Sequence, residues 1–122
     1  MKKYFILIFL LCIGVIANAQ TGVCKVSGDA GASVVVTVTG WNSESNEVSV
    51  TIGSDSEKYV NVTFNFEYSY DNSSYVATSQ DFTETVEPNK STSHTYKIRV
   101  PNPSKNSLKT VKGVKVRGAR CE

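Results

Sequence analysis

The segment YVNVTFNFEYSY, residues 59–70, restricts the fold more than any other part of the chain, because apolar and polar side chains alternate along its whole length. The apolar parity comprises Val60, Val62, Phe64, Phe66, Tyr68 and Tyr70. Period-two alternation is typical of a β-strand with one buried and one solvated face. At about 3.3 Å per residue the strand would extend roughly 40 Å, about twice the usual length. We therefore predict a long strand whose tyrosine end lies beyond the core.

Short β-rich runs recur along the rest of the chain, and no window has the periodicity of a helix. The runs are separated by turn-forming residues and cover residues 22–27, 33–39, 47–52, 59–70, 75–79, 81–87, 93–100 and 110–121. Gly113 interrupts the alternation of the last run and predicts a β-bulge there. Seven or eight short strands with regular turn signals predict an all-β fold, an antiparallel two-sheet sandwich.

The number and spacing of these runs resemble those of the immunoglobulin-like and fibronectin-III-like sandwiches of secreted and cell-surface proteins. The resemblance is architectural and covers residues 20–122. The antibody-type order of Cys, Trp and Cys is absent, because the two cysteines of this segment lie at its ends. The resemblance implies a sandwich whose first and last strands are joined.

The first residues, MKKYFILIFLLCIGVIANAQ, have the features of a secretory signal peptide. Lys2 and Lys3 form a basic start, residues 4–16 form an apolar run, and Ala17 and Ala19 supply the small residues of a cleavage site. We predict a signal peptide at 1–19 and one mature domain at 20–122, secreted or, for a retained bacterial product, periplasmic. An uncleaved anchor is the alternative, but the apolar run is short for a bilayer span, and no span is predicted after cleavage.

Cleavage would remove Cys12 and leave Cys24 and Cys121. Two cysteines in an exported chain allow one intramolecular disulfide. A bridge that closes a loop of roughly 100 residues is worth about 4.7 kcal/mol in the chain-entropy model. Two free thiols are the alternative.

The sequence predicts no enzyme, no metal site and no cofactor. The one histidine, His94, lies on the apolar parity of its run, and a lone strand histidine is more often packed than catalytic. Glu44 and Glu47 could in principle serve as the carboxylate pair of a glycosidase. We interpret them instead as solvent-exposed charges of a turn. Two Asp-containing turns, 27–31 and 53–57, do not reproduce a known calcium loop.

Charge is distributed unevenly along the chain. Residues 20–89 hold two basic residues, Lys25 and Lys58, against ten acidic ones, whereas residues 90–122 hold nine basic residues against Glu122. If the last two long strands pair as a hairpin, their basic side chains share one exposed face. That anionic-partner face would contain Lys97, Arg99, Lys115 and Arg117. Plain solvation or pairing with acids on a neighbouring strand is one alternative, and head-to-tail association with the acidic part of another copy is a second.

Four aromatic residues form the second candidate site: Trp41, Tyr68, Tyr70 and Tyr75. Tyrosine suits a half-exposed position, because it offers apolar area and a polar tip. These rings would form a platform for a sugar, or they would cover the open end of the core.

We therefore predict a secreted, non-catalytic binding or adhesion module for extracellular carbohydrate or an anionic surface. The alternative is a structural subunit that self-associates through opposed acidic and basic faces. Nucleic acid is not a predicted partner, because the chain has an export signal and no binding motif.

Overall fold

The computed structural model describes residues 19–25, 31–70 and 76–121. These residues form eight strands and no helix. The strands are β1 (Ala19–Cys24), β2 (Ala32–Asn42), β3 (Glu47–Ser54), β4 (Val60–Tyr70), β5 (Ala77–Thr78), β6 (Phe82–Val86), β7 (Ser91–Lys97) and β8 (Leu108–Cys121). The predicted signal peptide lies outside the described residues apart from Ala19. Within the described ranges, no helix has the length and hydropathy needed to cross a membrane.

The strands form two antiparallel sheets of four strands each, which confirms the predicted fold class. The first sheet has the order β1-β2-β3-β7. In the second sheet β8 runs along one side of β4 from end to end, so the short strands β5 and β6 share the other side. The central strand of the second sheet is therefore the long alternating segment.

The inward faces of both sheets form one core dominated by valine and phenylalanine. In β4, Phe64 and Phe66 are fully buried and contact Tyr96 of β7, with ring centroids 5.4 and 6.4 Å apart. β-branched and aromatic side chains favour strands because they pack well on a pleated, half-buried surface. The alternation along β2, β3 and β4 therefore specifies both the strands and the faces they bury.

The long strand is confirmed, but the prediction that Tyr68 lies beyond the core is wrong. Tyr68 is 2% exposed, and its hydroxyl donates a hydrogen bond of 3.3 Å to the carbonyl of Arg99. Burial, and then the neighbouring Tyr70, raise the pKa of Tyr68. The reason is the length of β8, whose buried Leu108 and Val111 lie opposite the tyrosine end of β4 and extend the core to it.

A disulfide joins Cys24 of β1 to Cys121 of β8, as predicted, and it links the edge of one sheet to the edge of the other. Further contacts hold the same two strands together. The side-chain oxygen of Gln20 accepts a hydrogen bond from the backbone N–H of Val116. A Cβ at Gly22 would lie 2.8 Å from a methyl group of Val116, so only glycine allows this close approach without a shift.

The last two long strands do not pair as a hairpin, so the condition for the predicted anionic-partner face is not met. β7 pairs with β3 in the first sheet, whereas β8 pairs with β4 in the second. After Lys97 the chain crosses between the sheets, with Ile98 and Val100 buried. Pro101 and Pro103 follow and have no N–H for a strand ladder. The chain therefore leaves the first sheet before β8 begins.

Candidate functional site

Strand β8 contains three irregularities in its pairing with β4, each of which inserts one extra residue. The register passes from Leu108 to Thr110, from Val111 to Gly113 and from Val116 to Gly118 while β4 advances by a single residue. A bulge of this kind places two residues of one strand opposite one residue of its partner. The inserted residues are Lys109, Lys112 and Arg117. The predicted bulge at Gly113 is confirmed, and the other two bulges were not predicted.

The bulges give every basic residue of β8 an outward position. In a regular strand, residues three apart would point to opposite faces, but each extra residue shifts the parity. The residues that pack against the core are Leu108, Val111, Val114, Val116, Ala119 and Cys121. The exposed basic residues between them are Lys109, Lys112, Lys115, Arg117 and Arg120. We call these five residues the basic strip.

The basic strip runs along the part of β4 from Asn61 to Ser69, which at about 3.3 Å per residue is roughly 26 Å long. Successive charges therefore follow at roughly 7 Å, within the Debye length of about 8 Å at physiological ionic strength. Their potentials therefore overlap and give β8 an excess of positive charge. Two acids share this face, the exposed Glu67 of β4, opposite Gly113, and Asp81.

Not all of this charge is balanced within the protein. Arg117 forms an ion pair of 3.3 Å with Asp81, which reaches it across the outer face of the second sheet. Among the described residues, no carboxylate lies within ion-pair distance of Lys109 or Lys115. The internal ion pair offsets the charge of Arg117, whereas Lys109 and Lys115 are exposed.

A shallow groove of about 510 Å³ lies on the outer face of the second sheet, beside the basic strip. Its lining residues are Asn61, Thr63, Thr83, Gly118, Ala119 and Arg120. Thr63 and Thr83 share a hydrogen bond of 3.1 Å across the sheet. No heavy atom lies within 4 Å of a Cβ built at Gly118, so the absence of a side chain there leaves the groove open. We call this depression the sheet groove.

Asn65, two residues along β4 from Thr63, adds a buried polar group to the same outward parity. It is 4% exposed, and its amide nitrogen donates a hydrogen bond of 3.2 Å to Asp81. Its Oδ1 atom is buried without a hydrogen-bond donor among the described residues. The Asn65–Asp81–Arg117 chain therefore joins β4, the start of β6 and β8 across the face that carries the groove.

The aromatic candidates meet the basic strip at the Lys109 end. Trp41 is 38% exposed, and its indole N–H donates a hydrogen bond of 3.2 Å to the carbonyl of Lys109. Tyr70 is half-buried, pairs in register with Leu108, and packs at 6.3 Å from the ring of Tyr68. Tyr75 lies outside the described residues. Because Tyr68 is buried, Trp41 and Tyr70 are the surface-accessible aromatic candidates among the described residues.

Lys97 and Arg99 do not share a face with Lys115 and Arg117. Lys97 ends β7 in the first sheet and Arg99 lies in the crossover segment after it, whereas Lys115 and Arg117 lie on β8 in the second sheet. Lys97 lies opposite Glu47 in the register of β3 and β7. The backbone on both sides of Ile98 is held by the side chain of Gln80, which bonds the carbonyl of Lys97 and the N–H of Arg99. The predicted anionic-partner face is therefore wrong as a single surface, because Lys97 and Arg99 lie apart from Lys115 and Arg117.

His94 belongs to a small polar cluster at the open seam between β6 and β7. Its Nε2 atom lies 3.6 Å from the carboxylate of Glu84, and its ring is 6.0 Å from that of Tyr96. The Tyr96 hydroxyl makes no hydrogen bond of ordinary geometry with the described residues. Burial, and then the negative charge of Glu84, raise the pKa of Tyr96. Across the described ranges no three His, Cys, Asp or Glu side chains form a group that could hold a metal ion.

The residues that sequence reasoning missed are Lys109, Lys112 and Arg120. The sequence does contain a pattern that could have identified the first two, because an apolar residue followed directly by lysine recurs every three residues. The pairs are Leu108-Lys109, Val111-Lys112 and Val114-Lys115. No protein-family model matches the chain, and no curated protein is significantly similar to it.

Proposed function

We propose that this protein is an exported, non-catalytic binding module whose basic strip binds an extended polyanion, an acidic polysaccharide above all. The observation that supports the proposal is the bulge pattern of β8. Three separate insertions each place a basic residue outward while the apolar residues keep their contact with the core. A solvated edge needs only scattered charge, whereas a continuous line of positive charge complements a linear anion.

Export and the kind of partner are parts of the same proposal. The signal-peptide features of residues 1–19 and the Cys24–Cys121 disulfide support an extracellular or periplasmic location. An acidic glycan is a linear polyanion and so has the shape and charge that the strip complements. Trp41 and Tyr70, beside the Lys109 end of the strip, would add apolar contact area for sugar rings.

The test compares two double variants of the exported, oxidised protein. Lys109→Gln with Lys115→Gln removes two charges from the strip, and Lys97→Gln with Arg99→Gln removes two exposed charges elsewhere. Binding to immobilised polygalacturonate, dextran sulfate and neutral dextran is measured at several salt concentrations. One ion pair at 4 Å in water is worth about 1 kcal/mol, so two correspond to a roughly 30-fold loss of affinity at low salt.

We expect that loss, with a shallower salt dependence, for the strip variant, and a change of less than about twofold for the other variant. Equal losses for the two variants would show that net charge alone drives binding. Retention on neutral dextran that survives high salt would contradict the role of the strip and favour the aromatic residues. Absence of binding to both polyanions would refute the proposal.

Self-association through opposed charges is the alternative predicted from the sequence. The bulges of β8 disfavour pairing of that edge with another copy, because bulges and lysines on an edge strand interrupt a regular ladder. Sedimentation velocity at low and high salt separates the two functions. A salt-sensitive oligomer at micromolar concentration would support self-association, and a monomer under all conditions would oppose it.

A further inference from the structure

We propose that the sheet groove is a subsite for one carboxylate-bearing sugar residue of the bound polymer. This inference rests on the proposed function and specifies the ligand further: a polyuronate rather than any polyanion. The groove lies at the Arg120 end of the basic strip, so a chain that follows the strip passes directly over it. Its volume of about 510 Å³ lies within the range of small-molecule sites.

The lining of the groove has the chemistry of a sugar site. The hydroxyls of Thr63 and Thr83, which bond each other, keep further donor and acceptor capacity, and Asn61 brings a side-chain amide to the same lining. Sugar hydroxyls have the same dual character, so they complement such a surface at many orientations. Hydrogen bonds within the sheet hold these side chains, since Thr63 bonds Thr83 and Thr85 donates to Asn61 at 2.5 Å. A preordered surface loses less conformational entropy when the ligand binds.

Arg120 distinguishes a uronate from a neutral sugar. A guanidinium presents its N–H donors in a planar fork that matches the two oxygens of a carboxylate. Arg120 lines the groove and lies opposite Asn61 in register, so the charged group and the amide border the same space. A carboxylate on the sugar ring would face Arg120 while the ring hydroxyls face the threonines.

Gly118 is the residue that makes the groove possible. It lies opposite Thr63 in the second sheet and is exposed, and a Cβ at this position would meet no other atom within 4 Å. Any larger side chain would therefore project into the space that the sugar needs. Its backbone lies outside the left-handed region, so a side chain at this position carries no backbone strain.

The test uses Gly118→Val, which blocks the groove and leaves every charge in place. Valine favours a strand, so the variant should unfold at the same temperature as the wild type or slightly above it. Gly40→Val in β2 is the matched control, because Gly40 is also a strand glycine with no atom near an added Cβ, but it belongs to the first sheet. Circular dichroism verifies that both variants are folded.

We expect Gly118→Val to lower the affinity for polygalacturonate at least tenfold at low salt, and Gly40→Val to change it less than twofold. A loss for Gly40→Val instead would place the sugar near Trp41 and overturn the inference. Unchanged affinity for Gly118→Val, together with the expected loss for the strip variant, would refute the subsite and leave the proposed function intact.

A second measurement does not depend on the polymer. Amide chemical shifts are recorded while galacturonic acid or galactose is added to the wild-type protein. We expect concentration-dependent shifts for Thr63, Thr83 and Gly118 with galacturonic acid, and weaker ones with galactose. Absence of these shifts would refute the subsite even if polyanions bind the strip, whereas their presence without polymer binding would refute only the proposed function.

Discussion

Removal of the Cys24–Cys121 disulfide is the perturbation whose effect follows most directly from the structure. The bridge joins residues 97 apart in sequence, so it closes nearly the whole described chain. In the chain-entropy model a loop of about 100 residues contributes about 4.7 kcal/mol by restricting the unfolded state. Domains of this size have total stabilities of roughly 5–15 kcal/mol, so the bridge supplies a large fraction.

The fold itself should survive without the bridge. The Gln20–Val116 hydrogen bond and the close approach at Gly22 hold β1 against β8 independently of the sulfur atoms. Alanine is the appropriate replacement, because Cys24 is 2% exposed and a serine hydroxyl there would be buried. The double variant Cys24→Ala with Cys121→Ala should therefore be native at low denaturant but unfold much earlier.

Urea unfolding is followed by the fluorescence of Trp41, the single tryptophan, and by circular dichroism. We expect the free energy of unfolding to fall by about 3–5 kcal/mol and the m-value to rise, because the uncrosslinked unfolded chain exposes more surface. Wild-type protein reduced with dithiothreitol serves as the control and should match the variant apart from a small cavity contribution. A difference below about 1 kcal/mol would refute the argument from loop closure.

Two further predictions concern single residues. Asn46 has φ 58°. Its side-chain oxygen accepts a hydrogen bond of 2.8 Å from Leu108 N–H of β8, and its backbone carbonyl accepts one of 2.8 Å from Ile98 N–H in the segment after β7. Asn46→Ala should lower the free energy of unfolding in urea by about 1–3 kcal/mol. Asn46→Asp keeps the side-chain acceptor and should lower it clearly less, and equal losses for the two variants would contradict this role. Because the pKa of Tyr96 is raised, this tyrosine stays protonated in the folded state at pH values where it is ionised in the unfolded state. The free energy of unfolding should therefore fall as the pH rises above about 10. Tyr96→Phe should make this decline shallower in urea titrations at pH 9–11.5, and an unchanged slope would show that Tyr96 does not contribute to it.

Local patterns predicted the strands well, because side-chain alternation is a property of the chain itself. The alternating valines of β2 and the alternation of β4 each became a strand with the predicted inward face. The end of the core could not be predicted in this way. Whether Tyr68 is buried depends on what lies across from it, and β8 covers it only because that strand is as long as β4.

The candidate site was only partly predictable for the same reason. Lys115 and Arg117 were identified as basic and outward, but they were grouped with Lys97 and Arg99 on the assumption of a hairpin. Strand pairing depends on contacts between residues far apart in sequence, and no local pattern predicts that residues 98–107 cross from one sheet to the other. The sheet groove depends on three strands, β4, β6 and β8, which are far apart in sequence.

The sequence by itself determined an antiparallel β-fold closed by a disulfide between its ends, since periodicity, turn residues and cysteine positions are readable residue by residue. Only the tertiary structure decided that five basic residues lie along one face. Lys109, Lys112 and Lys115 are three residues apart, a spacing that would alternate between the faces of a regular strand. They share a face because β8 bulges where it pairs with β4, and a bulge exists only once two distant strands have met.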